Sequence, residues 1–160
     1  MRASHPVVWV SALLAAAAGI FSPDARGQAC ESPRPTDPQG SQGVSYDSAE
    51  VAFLDAVSGR ARVHFALSGA HAPPPLSTLQ DGVPDAVVVA AQAADAAFDE
   101  FEQLGYLAPL GDGDSPCATN GDSDAVDIYL LNFAAADGQA VPDHCEPGPP
   151  KRCAGFVLVE

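Results

Sequence analysis

Residues 81–105, DGVPDAVVVAAQAADAAFDEFEQLG, decide the fold. Pro84 suits a first helical turn, where its missing N–H would have no partner anyway. Asp85 places a negative charge at the positive end of a helix dipole. Beyond it Val87, Ala91, Ala94, Phe98 and Phe101 recur at intervals of three and four, an apolar stripe that predicts one helix over about 84–104. Gln92, Asp95, Asp99 and Glu102 occupy its other faces. Gly105 stands where a helix closes on a left-handed residue.

The flanking segments read as strands. In Arg60 to Leu67, the residues Val63, Phe65 and Leu67 alternate with Arg62, His64 and Ala66, the period of a half-buried strand. Val51, Phe53, Leu54 and Val57 make a short apolar patch within Glu50–Val57 whose type the pattern leaves open. Residues 110–124 are dense in Gly, Asp and Ser and read as a loop, and 125–133 follow as a strand rich in β-formers. A second loop spans 134–153, and Gly155 to Glu160 reads as a last strand that stops without a polar tail, as though interrupted. Strand, helix, strand, strand gives an α+β class, a small sheet backed by one main helix.

Upstream, residues 1–27 match a secretory signal: one basic residue, Arg2, fifteen apolar or small residues from Val7 to Phe21, and small Ala25 and Gly27 at positions −3 and −1 of a cleavage site. That run is short of the roughly 18 to 20 residues of a membrane span. No leucine stands three places before Cys30, which argues against a lipid anchor. Cleavage leaves 133 residues, enough for one core, expected in a secreted or periplasmic location. Residues 28–45, rich in Pro, Gly, Ser and Gln, read as a flexible linker. The domain is then expected to occupy 46–160 and to be incomplete at its C-terminus.

The net charge is −14, and from Val63 to Pro150 fourteen Asp and Glu occur without a single Lys or Arg. Such a surface repels phosphate backbones and excludes nucleic acid as a partner. No segment after the signal is long and apolar enough to span a membrane. Cys30, Cys117, Cys145 and Cys153 are an even set in an oxidising compartment and read as two disulfides with three possible pairings. Cys145 with Cys153, around Pro147-Gly-Pro-Pro150, is the preferred one and leaves Cys30 with Cys117.

Complete catalytic sets are missing from the sequence. A zinc hydrolase of the HExxH class needs two histidines four residues apart on a helix, and His5, His64, His71 and His144 contain no such pair. They read as ordinary surface histidines. Gly113-Asp-Ser115 lacks a recognisable base and oxyanion hole, and is expected to be an acidic turn. Two degenerate calcium loops remain. Asn120, Asp122 and Asp124 fit positions 1, 3 and 5 of an EF-hand-like loop, but Ala125 and Leu131 stand where Gly and Glu are needed. Asp81 and Asp85 end an aspartate ladder whose earlier positions are Ser77 and Leu79. Any calcium site here is expected to be weak.

One resemblance runs through the chain. Arg62-Val-His-Phe-Ala-Leu67, then Asp81-Gly-Val-Pro-Asp85 opening an Ala-rich helix, then Leu104-Gly-Tyr106 with Pro109, an acidic Gly loop and Val126-Asp-Ile-Tyr-Leu130 follow in order. Over residues 46–160 this resembles the N-terminal part of a family of exported bacterial HExxH zinc metallopeptidases. The resemblance implies the upper sheet and backing helix of a zincin-like domain. It also implies zinc only in a full-length relative, because the zinc helix of the family follows a strand similar to Gly155–Glu160. No catalytic or zinc residue carries over to this chain, so it is expected to hold no cofactor and to be inactive by itself, with a further C-terminal segment or a protein partner completing it. The alternatives are a free-standing extracellular binding or calcium-stabilised module, and a disulfide-held domain of purely structural role.

Overall fold

The alternating segment forms β2, Ala61–Ala66, and the sheet is organised around it. The computed structural model describes residues 33–47, 49–111, 123–132 and 137–160. The apolar patch left open by its sequence is β1, Val51–Asp55, antiparallel to β2 with Phe53 opposite His64. The helix is α1, Asp85–Gln103. β3 spans Val126–Leu130, β4 Gly138–Cys145 and β5 Cys153–Val159. The sheet order is β1-β2-β3-β5-β4; β2, β3 and β5 run parallel, and the outer strands are antiparallel to their neighbours. Among the described residues the fold is therefore α+β, a five-stranded mixed sheet with one helix packed against it.

Helix α1 lies over the face carrying Val63 and Phe65, and meets it through Val87, Ala91 and Ala94, with Phe98 partly buried. Phe101, expected to continue that stripe, is 53% exposed because the helix runs past the sheet there. The end of α1 follows the Schellman pattern: the Tyr106 N–H donates to Phe101 O at 2.9 Å, the Gly105 N–H to Glu102 O at 3.0 Å, and Gly105 has φ +81°. At its start, Asp85 does not cap the helix. Its carboxylate accepts the N–H groups of Leu79 (2.9 Å) and Thr78 (2.7 Å) and the Thr78 hydroxyl (2.7 Å). These donors, the Leu79 N–H foremost, hold its carboxyl below the usual carboxylate range.

Two further expectations change. Residues 134–153 are not a loop throughout, since 138–145 form the edge strand β4. Pro142 hid it, and an edge position with a break in register is where a strand tolerates proline. The linker assigned to 28–45 is not a free arm over residues 33–45. There Arg34 and Pro35 are buried, and a turn with Gln42 at φ 53° and Gly43 at φ +79° closes the Ser41–Val44 bridge. Gly40, at φ +64°, is required by this turn, because a Cβ there would meet Val44 O at 2.4 Å. Residues 33–47 form a strap across the sheet face opposite α1. As a result the Phe156 and Leu158 side chains are 1% and 0% exposed beside Tyr46, Tyr129 and Val141.

Gly155 of β5 lies close against the backbone of β4. A Cβ at Gly155 would stand 2.3 Å from Val141 O and 2.9 Å from Pro142 Cα, both backbone atoms of β4. Gly155→Ala is expected to destabilise by about 1–3 kcal/mol, the cost of overpacking, as a lower denaturant midpoint at unchanged slope. The preferred disulfide is present: Cys145 and Cys153 are bonded where β4 and β5 meet, eight residues apart. In the chain-entropy model, closing a loop of this length contributes roughly 2–3 kcal/mol. Cys145→Ser with Cys153→Ser is expected to lose that much in urea melts. Cys30 and Cys117 lie outside the described residues.

Candidate functional site

Two features gather chemistry, and the strap and the parallel strands create both. The first is a buried charge cluster. Asp127 projects from β3 onto the strap face, fully buried. Its Oδ1 lies 2.8 Å from His64 Nε2 on β2, and its Oδ2 accepts Arg34 Nη1 of the strap at 2.9 Å and the Tyr129 hydroxyl at 3.4 Å. Arg34 Nη2 donates to Asp143 Oδ2 at 2.8 Å, with both side chains 1% exposed. Asp143 is the residue at which β4 slips register, between the pairs Pro142–Gly155 and His144–Ala154, and this bulge presents its carboxylate to the strap. Among the described residues nothing donates to Asp143 Oδ1.

Aromatic rings wall the cluster. The His64 and Tyr129 rings stack at 4.6 Å, 14° from parallel, and the Arg34 guanidinium lies 4.8 Å from the Phe156 ring centre. Tyr46 anchors the far end of the strap, its hydroxyl within donating distance of Leu130 O (2.8 Å) and His64 O (3.0 Å). Burial pushes the phenols of Tyr46 and Tyr129 well above their ordinary value, so both stay neutral hydrogen-bond donors. His64 is thus not the surface histidine its alternation suggested. β2 lies between α1 and the strap, so its polar face is buried as well as its apolar one.

The second feature is a groove of about 610 Å³ at the carboxyl ends of the parallel strands β3 and β5, beside the first turns of α1. Ligands of open α/β sheets settle at such ends. Its walls are mostly apolar, from Ala72, Pro73, Val89, Leu131 and Val159, with His71 and Asn132 among the polar groups. The Asn132 N–H donates to His71 Nδ1 at 3.1 Å, which places the hydrogen of a neutral ring on Nε2.

The calcium candidates do not assemble into a site within the described residues. Asn120 and Asp122 fall outside them. Asp124 is exposed beside Gly111. Asp85 spends both oxygens on the 78–79 turn, and Asp81 is exposed. Zinc does not fit these residues either: among them no group of three or more His, Cys, Asp or Glu is placed to hold a metal ion. No described helix is long and apolar enough to cross a membrane.

The cluster that organises the interior went unrecognised in sequence because its cation lies in the stretch read as a linker. One signal was available. Asp127 sits amid the β-formers Val126, Ile128 and Tyr129, and a carboxylate buried in a strand needs a cation. With no Lys or Arg between 63 and 150, that cation had to come from nearer an end of the chain. No protein-family model, no curated protein and no solved structure matches the chain.

Proposed function

We propose that this chain supplies the sheet and backing helix of an exported zinc-metallopeptidase-like domain, with no catalytic set of its own. The supporting observation is architectural. Asp81-Gly-Val-Pro-Asp85 leads into the one helix that, among the described residues, backs a mixed sheet, and the segments of the resemblance, β2, α1 and β3, follow in that chain order, with α1 packed on β2 and β3 paired to β2. The groove at the carboxyl ends of β3 and β5 is the surface against which residues supplied from outside this chain would complete a peptidase site. Export agrees with the signal at residues 1–27 and with the Cys145–Cys153 bond.

The test is whether zinc and proteolysis depend on residues this chain lacks. The 160-residue chain is expected to bind no stoichiometric zinc and to leave an unfolded protein substrate intact. The exported product of the native locus is expected to carry zinc one to one and to cleave the same substrate. A native product free of zinc and inactive on that substrate would overturn the proposal. A second reading, an extracellular binding module without catalysis, is favoured by the groove alone, a concave apolar surface with a few polar groups.

A further inference from the structure

The Arg34 cluster sets two buried carboxylates against one guanidinium. Asp127 and Asp143 share it, and Asp143 Oδ1 has no donor among the described residues. An uncompensated buried charge is costly, and a proton is the simplest way to remove it. We propose that proton uptake on Asp143 seats the strap 33–47, so that the N-terminal segment grips the sheet more firmly at weakly acidic pH and loosens as pH rises.

Geometry supplies the acceptor. Asp143 sits at the β4 bulge with its side chain 1% exposed, Oδ2 on Arg34 and Oδ1 without a donor among the described residues. The groups around it come from every neighbouring element. The strap brings Arg34 and Asp37, β3 brings Asp127 with the Tyr129 hydroxyl on it, β2 brings His64 through Asp127, and β4 itself carries His144 next in the chain. β5 contributes only the uncharged Phe156, stacked under Arg34. Burial and the negative charges of Asp127 and Asp37 raise the Asp143 carboxyl above its ordinary value, and Arg34 opposes them without reversing the direction.

A carboxyl whose docked pKa exceeds its free one stabilises docking fully below the free value, about 3.9, and loses that contribution as pH rises through the docked one. The strap covers Tyr129, Phe156 and Leu158, so its release would uncover an apolar sheet face.

Hydrogen exchange of the strap amides, among them Gly40 and Tyr46, tests this on the exported protein between about pH 4.5 and 8, corrected for intrinsic exchange rates. Protection is expected to fall as pH rises, by at most about tenfold per pH unit, the limit for one proton. Asp143→Asn, which mimics the protonated form, is expected to stay protected and to lose the pH dependence. A flat wild-type profile, or an unchanged slope in the Asn variant, would overturn the proposal. If D143N does not fold, the carboxyl ¹³C shift of Asp143 in the wild-type protein decides: a midpoint above the free value of about 3.9 supports it, and one at or below that value refutes it.

Discussion

Arg34→Met is expected to lower the unfolding free energy by about 3–5 kcal/mol, because it removes the guanidinium and leaves Asp127 and Asp143 buried without it. The methionine fills much of the same space, so the loss is electrostatic more than steric. On a domain of total stability about 5–15 kcal/mol, such a loss lowers the melting temperature by on the order of 15 °C. The deficit should shrink on acidification. The raised Asp143 carboxyl takes up its proton before an ordinary one, and a neutral Asp143 needs no cation. Thermal melts of R34M across pH check both size and sign. A loss under 1 kcal/mol at neutral pH would mean that the cluster does not hold the strap.

Phe156→Ala is expected to cost a similar amount, about 3–5 kcal/mol, through a different mechanism. Phe156 is 1% exposed, its ring edge-on to Tyr129 at 5.6 Å and beneath the Arg34 guanidinium at 4.8 Å. Its removal leaves a cavity and takes away the aromatic face on which the buried cation rests, worth up to about 2 kcal/mol where desolvated. Phe101→Ala is the internal comparison. Phe101 is 53% exposed at the end of α1, and its loss should stay within about 0.5 kcal/mol. Urea melts of the two variants, read at constant slope, separate a phenylalanine of the core from one at the surface. Equal losses would show that the strap face is not packed as described.

These two phenylalanines mark what local pattern can and cannot tell. Periodicity of three and four determined that residues 84–104 make a helix, and alternation made 60–67 a strand, because those patterns reflect backbone geometry that a few neighbouring residues specify. Pro84, Gly105 and the short Cys145–Cys153 loop were legible for the same reason. Which faces are covered was not legible, because burial depends on segments distant in sequence. The pattern places Phe101 on the apolar stripe, but only the sheet's edge decides that α1 runs past it. Arg34 lies 93 residues from Asp127 and 109 from Asp143, and nothing local to a Pro- and Gly-rich stretch announces that it crosses a sheet. β4 was hidden by Pro142, whose place at a bulged edge becomes apparent only when Gly155 opposite gives the backbone room. By itself the sequence determined the helix, the central strands and the absence of an HExxH pair. Tertiary structure alone decided that the strap covers the second face and that His64, Asp127, Asp143 and Arg34 meet. The hydrophobic effect and charge pairing act between whatever surfaces the fold brings together, whatever their separation along the chain.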